Sequence, residues 1–235
     1  MSKFLSPRLI FVSGMTASGK SSLARELARC IVNGVCLNRD SILYGGLLCV
    51  DENFAAPSLP SFRQYVAKDI VFPDNCEVVD TPFGPMTRVF HIPGSDYHGR
   101  HARDQGYLVQ IRLAEENVQI GKVPILDGYQ MRHIDGGSLQ RVMDLPVFRP
   151  YPKYLIHTMV DPEECYRRLR GRGETDYEGW VQARVHKNKE SFLKFLESRQ
   201  KSIPDGLKNF PHLIVDTTNR TIDECAKECL TYIQS

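Results

Sequence analysis

The segment Gly14-Met15-Thr16-Ala17-Ser18-Gly19-Lys20-Ser21 constrains this chain more than any other. It matches the pattern G-x-x-x-x-G-K-[ST] at every fixed position. Its surroundings fit as well. Arg8-Leu9-Ile10-Phe11-Val12 is a short apolar run that reads as a buried strand. Beyond the loop, Leu23, Leu27 and Ile31 recur every four residues with Ala24 and Ala28 alongside, which makes one face of a helix. Strand, glycine turn and helix is the order in which backbone N–H groups and a helix N-terminus form an anion cradle. Gly14 to Ser21, with Ser22 next in line, are therefore the candidate triphosphate-binding residues. Lys20 adds a full charge against the outer phosphates, and Ser21 offers a hydroxyl to Mg²⁺. An ordinary strand-to-helix turn is the plain alternative.

A length of 235 residues suits one large α/β domain, or one domain carrying an insertion. With 42% hydrophobic and 25% charged residues, the composition is that of a soluble globular protein. A net charge of +2 predicts neither an extended nucleic-acid surface nor a membrane surface. No apolar stretch approaches the ~20 residues of a membrane helix, and the run near the N-terminus is too short for a signal peptide, so the expected location is the cytoplasm. Seven cysteines without a C-x-x-C pair argue against a disulfide framework or a structural zinc site; Cys225 and Cys229 read as small core residues.

Strands alternate with helices along the chain, which predicts a parallel sheet covered on both faces. The expected strands after the first are 35–38, 123–127, 154–160 and 212–216, five in all. Residues 41–97 are the least regular part, with most of the prolines and an expected hairpin from Glu77-Val78-Val79 to Arg88-Val89-Phe90. They are expected to form an insertion over the site, within a single domain of 1–235. A helix is expected from about 96 to 121, with Gly121 at its C-terminal end. Asp161-Pro162-Glu163-Glu164 starts another, with an aspartate cap and proline at the first helical position. A further helix is expected over about 177–198, and a capping box at Thr221 to Glu224 opens the last one.

Three carboxylates follow strands, where open α/β sheets place their sites. Asp40 is positioned to orient or deprotonate an attacking hydroxyl; a helix cap or an ion pair with Arg39 are its alternatives. Asp127 is a candidate for organising Mg²⁺, or forms a turn with Gly128, and Asp216 is the weakest of the three. Arg167, Arg168, Arg170 and Arg172 crowd six residues beside Gly171 and Gly173, with Arg184 further on. They suit a lid over about 167–180 that neutralises charge on a transferring group, with Arg168 and Arg172 the chosen contacts; a solvated helix face is the alternative. Arg100 and Arg103 are candidates for an anionic acceptor, or pair with Asp96 or Asp104; His98 and His101, three apart, are read as surface or packing residues, with a metal pair the alternative.

Taken together, the segments Gly14 to Ser21, Leu37-Asn38-Arg39-Asp40-Ser41, Asp161 to Arg172 and Leu213 to Asn219 resemble P-loop kinases of the nucleotide- and polynucleotide-kinase type. The resemblance implies a three-layer P-loop sandwich with five parallel strands, an insertion after the second, and a lid. It implies ATP and Mg²⁺ as cofactors, Asp40 as the base, Arg39 at the acceptor, and Thr217, Thr218 and Asn219 beside the adenine. Residues 44–95 match nothing in that family. The loop, Asp40-Ser41 followed by Tyr44, and Gly121 to Leu126 also look like tRNA and adenylate isopentenyltransferases, but Asp127-Gly128-Tyr129 stands where those enzymes carry glycine-glycine-threonine. A GTPase switch lacks the guanine-reading aspartate after Asn188-Lys189-Glu190. The expected activity is transfer of a γ-phosphoryl group to the hydroxyl of a small molecule, a nucleoside or a nucleic-acid 5′ end. The balanced charge disfavours a long polynucleotide.

Overall fold

The computed structural model describes residues 3–42, 49–50, 77–81, 84–88, 104–130, 133–134, 136–172, 189–200, 207 and 210–234. Contacts gather the chain into two compact units, Met1–Leu37 with Leu113–Ser235, and Asn38–Arg112. The described strands are β1 (Leu9–Gly14), β2 (Gly34–Asn38), β3 (Cys49–Val50), β4 (Glu77–Thr81), β5 (Gly84–Arg88), β6 (Val123–Asp127), β7 (Lys153–Met159) and β8 (His212–Asp216). The described helices are α1 (Lys20–Cys30), α2 (Arg39–Ile42), α3 (Asp104–Gln119), α4 (Ser138–Met143), α5 (Pro162–Arg172), α6 (Lys189–Gln200) and α7 (Ile222–Gln234).

In the first unit, five strands form one sheet in the order β2-β6-β1-β7-β8. The pairings of β1 with β6, β1 with β7, and β7 with β8 are all parallel. Every residue of β1 and of β6 is buried, as a strand sandwiched between two helical layers requires. Ile10, Val12, Ile125, Ile156 and Val215 pack with Leu23 and Leu27 of α1 and with Cys225, Cys229 and Ile233 of α7. The two cysteines are core residues at the i, i+4 spacing of a helix face. Asn33 fastens the edge of the sheet away from the loop. Its amide donates to the Leu5 and Gly121 carbonyls at 2.8 Å each, while its carbonyl oxygen accepts from the Leu5 N–H at 3.2 Å.

The second unit holds a small antiparallel sheet of order β3-β5-β4. β4 and β5 pair from Glu77 with Arg88 to Thr81 with Gly84, so the second arm starts earlier than the sequence suggests. The strand β3 and the short helices α2 and α4 carry too little periodicity to be expected from sequence. Helix α3 starts at Asp104; the expected stretch 96–103 lies outside the described residues, as does 177–188 ahead of α6. At the C-terminal end of α3, Gly121 has φ +83°, the left-handed conformation expected of a closing glycine. Asp161 accepts from the N–H groups of Glu163 and Glu164 at 2.9 and 3.1 Å, and Thr221 with Glu224 forms the reciprocal capping box. No described helix is long and apolar enough to cross a membrane.

His157, in the middle of β7, is fully buried, and neither ring nitrogen has a hydrogen-bond partner. Burial, assisted by His212, pushes its pKa from 6.5 down to about 4. The folded chain therefore resists a proton that the unfolded chain accepts. Stability should be full above the ordinary histidine pKa, drain as pH falls from about 6.5 toward 4, and level off below, a loss approaching about 3 kcal/mol. Carboxylates with depressed pKa, such as Glu164, keep their full contribution above about pH 4.5 and lose it only as pH falls further. Urea unfolding between pH 7 and pH 4.5 should show this slope, and His157→Leu should flatten it.

Candidate active site

The turn from β1 into α1 is shaped by three residues with positive φ. Gly14, at φ +156°, has no room for a side chain: a Cβ would lie 2.1 Å from Thr158 Oγ1 and 2.5 Å from Ser18 Oγ. Gly19 caps α1 at φ +85°. Ala17 takes φ +61°, a conformation that costs an L-residue about 1–2 kcal/mol. Apolar packing holds it there, because Met15 and Ala17 are buried in one cluster with Cys165 and Leu169 of α5 and Phe192 and Leu196 of α6.

Three carbonyls of the loop are gripped by side chains. Ser18 Oγ donates to the Met15 carbonyl at 2.7 Å and meets Thr158 Oγ1 at 2.6 Å. The Cys165 thiol donates to the Thr16 carbonyl at 3.2 Å, and the Thr217 hydroxyl to the Ser18 carbonyl at 2.9 Å. In a planar trans peptide the N–H points opposite its carbonyl. Pulling the carbonyls of Met15, Thr16 and Ser18 toward the protein therefore turns the N–H groups of Thr16, Ala17 and Gly19 the other way. Helix α1 begins at a glycine with no side chain to cap it, and its first turn contains no acid, so its positive end is not offset locally. Lys20 is buried at that end, Ser21 is half-buried and Ser22 is exposed.

Asp127 closes β6 in register with Val12 and is buried. Gly128 N–H donates to the Val12 carbonyl, and Gln130 N–H to Ser13 Oγ, both at 3.1 Å, which fixes the chain after β6 against the end of β1. Burial, then the charge of Asp127, raises the Cys36 thiol to about 11. Asp127 and the Ser21 hydroxyl are hard oxygen donors of the kind Mg²⁺ takes. Among the described residues no group of three or more His, Cys, Asp or Glu could hold a metal by itself, a donor set that Mg²⁺ carried by phosphates and water does not need.

In the second unit, Asp40 follows β2 in the four-residue helix α2 and is ion-paired with Arg39, whose guanidinium lies 5.1 Å from the centre of the Tyr107 ring. The cap of α2 is Asn38, which accepts from the Ser41 N–H at 2.6 Å. Of the structural alternatives for Asp40, the ion pair is present and the cap belongs to its neighbour. Asp216 shapes its own loop: one carboxylate oxygen accepts from the N–H and the hydroxyl of Thr218, which holds its pKa below the usual range.

Helix α5 brings Arg168 to the loop, but as a fastened wall. Its Nε donates to Glu164 at 2.8 Å, Nη1 to the Thr217 hydroxyl at 3.0 Å, and Nη2 to the carbonyls of Thr217 and Thr218 at 2.6 and 3.3 Å. This differs from the loose lid arginine that the flanking glycines suggest. Arg167 pairs with the same Glu164, whose carboxyl is held at about 2 by hydrogen bonds from Arg167 and then Arg168. A cleft of about 440 Å³ opens between the loop, α5 and the start of α7, walled by Gly19, Ser22, Arg167, Thr217, Arg220 and Ile222 among others. Thr218 turns its hydroxyl to Asp216 and the Asp161 N–H, and Asn219 is exposed, so the wall here is Thr217 and Arg220. Arg220, Thr158 and Cys165 carried no signal in sequence, since each acts through a partner 8 to 149 residues away. Arg100, Arg103, His98, His101, Arg184 and the Arg172 side chain lie outside the described residues.

A protein named as a candidate kinase from Chloroflexus aurantiacus J-10-fl superimposes with a TM-score of 0.55 at 16% identity, over 97% of each chain. Shikimate kinase from Bacteroides thetaiotaomicron superimposes with a TM-score of 0.52 at 13% identity, over 97% of this chain and 99% of that one. No curated protein matches the sequence. These likenesses establish the fold as that of P-loop kinases and lend nothing to prenyl transfer. The model of the AAA domain family matches residues 10–192, and with that span, most of the chain, this protein belongs to the AAA domain family.

Proposed function

We propose that the chain is a phosphotransferase that moves the γ-phosphoryl group of a nucleoside triphosphate to a hydroxyl. ATP is the donor that the kinase resemblance implies, and a small molecule, nucleoside or nucleic-acid 5′ end the acceptor. The observation that carries this is the loop itself: Met15, Thr16 and Ser18 carbonyls tied to side chains, and buried Lys20 at the uncapped start of α1. Such a cradle stabilises anionic oxygens without reorganising during the reaction.

Gly14 to Ser22 hold the phosphates, with Lys20 as the full positive charge. Ser21 and Asp127 would hold Mg²⁺, which supplies charge neutralisation on the phosphates when bound. Asp40 accepts a hydrogen bond from the attacking hydroxyl and takes its proton as the phosphoryl group leaves. Arg168 and Arg172 stand at the transferring group, Arg39, Arg100 and Arg103 at an anionic acceptor, and Thr218 and Asn219 near the base. The span of about 41–97 selects the acceptor and about 167–180 closes as a lid, in a cytoplasmic enzyme.

Radiolabelled γ-phosphate should pass to an acceptor within a panel of metabolites and oligonucleotides. Release of pyrophosphate from dimethylallyl diphosphate without triphosphate use would instead select prenyl transfer. Lys20→Met should weaken triphosphate binding at least ~10-fold by calorimetry, as expected when a charge-assisted contact is removed. Asp40→Asn should keep that affinity within about twofold and lower turnover on the order of 10²–10³; unchanged turnover would remove Asp40 from the chemistry.

A further inference from the structure

We infer that the cleft beside the phosphate loop selects a 6-oxopurine, so that the triphosphate taken is GTP in preference to ATP, with Arg220 as the specificity-determining residue. This rests on the phosphotransferase proposal and names its donor.

Among the described residues, the polar side chains lining the cleft are Ser22, Thr217 and three arginines, Arg167, Arg168 and Arg220, with no carboxylate or carboxamide among them. Guanidinium groups donate only and stay charged at any pH the fold survives. The neighbouring acceptors are already engaged. The carbonyls of Thr217 and Thr218 take Arg168 Nη2, and the Thr217 hydroxyl takes Arg168 Nη1 while donating to the Ser18 carbonyl. Glu164 serves Arg167 and Arg168, and Glu228 serves Arg220.

Arg220 is held in a fixed pose by two contacts on α7: Nη1 to Glu228 at 2.5 Å and Nη2 to the Glu224 carbonyl at 3.2 Å. These occupy two of its five N–H donors. Arg167 gives Nε and Nη2 to Glu164. Both arginines therefore retain donors, on a wall where Ala17 and Ile222 provide apolar surface for a ring.

A guanine presents two adjacent acceptors, O6 and N7, along one edge, the pair that an arginine fork meets in bidentate fashion. Adenine replaces O6 with an amino group. Against a wall of donors that amino group faces N–H with N–H, and the neighbouring carboxylates, Glu164 and Glu228, are already paired with arginines. A site that hydrogen-bonds a particular oxygen rejects the analogue lacking it, because its donors are left unpaired. The wall is partly open to water: Arg220 is 34% exposed and Arg167 74%. The expected preference is accordingly modest, about 10-fold.

The test is equilibrium binding of GTP, ITP and ATP, each with Mg²⁺, to the full chain and to Arg220→Gln, with thermal melting to confirm that the variant folds. GTP and ITP should bind about 10-fold tighter than ATP; Arg220→Gln should bring the three within about threefold of one another, mainly by weakening GTP and ITP. Glu228→Gln, whose side-chain oxygen can still accept from Arg220 Nη1 and keep the guanidinium's pose, should retain the preference. ATP binding as tightly as GTP, or ITP following ATP, would overturn the inference and leave the phosphotransferase standing. Failure of all three to bind would overturn both. Should Arg220→Gln not fold, the ratio of GTP to ATP affinity in the unaltered protein decides.

Discussion

The hydrogen bond from the Thr217 hydroxyl to the Ser18 carbonyl ties the two ends of the chain together at the one place where chemistry is expected. Thr217 follows β8 and Ser18 precedes α1, almost 200 residues apart, so the loop takes its shape only when the far edge of the sheet is built. The same is true of the Thr158 and Cys165 contacts, which come from β7 and α5. A flexible glycine-rich turn left alone would satisfy its carbonyls with its own N–H groups or with water. Here Cys165 and Thr217 take the Thr16 and Ser18 carbonyls, Ser18, steadied by Thr158, takes that of Met15, and the N–H groups of Thr16, Ala17 and Gly19 are left to point outward as a set. The order of the sheet makes this possible: β1 is central, with β6 on one side and β7 then β8 on the other, so β7 and the segments that follow β7 and β8 reach the loop.

The scaffold was legible because it is periodic. Buried β1 and β6 are continuous apolar runs, and the bounds of β6 and β8 coincide with the runs that predict them. Caps were legible because they are local: Asp161 with Pro162, Thr221 with Glu224 and Gly121 each act within four residues. The walls of the candidate site were not. Nothing near Cys165 says that its thiol meets the Thr16 carbonyl, and nothing in Arg167-Arg168-Leu169-Arg170 says that Arg168 alone folds back onto Thr217. The reason is geometric. Residues 3 or 4 apart share a helix face whatever the fold, while contacts over 49 or 149 residues exist only once the sheet order is set. Ala17 shows the same limit in the backbone, since a left-handed alanine is disfavoured locally and is held only by the apolar cluster around it.

The arginines around the cleft are better understood as oriented donors than as sources of stability. Exposed ion pairs such as Arg167 with Glu164 contribute little to folding, because water screens the charges and two long side chains must be ordered. What such pairs do fix is direction. A lone arginine on a surface samples many rotamers and must be ordered at each binding event, whereas Arg168 is already held at three of its nitrogens and Arg220 at two. Ordering the donors through contacts within the fold removes part of the entropy cost of binding. It also fixes which edge of a ligand can be met. The acids Glu164 and Glu228 thereby act at one remove: they lie outside the residues lining the cleft, yet they decide which faces of the guanidinium groups remain to be used.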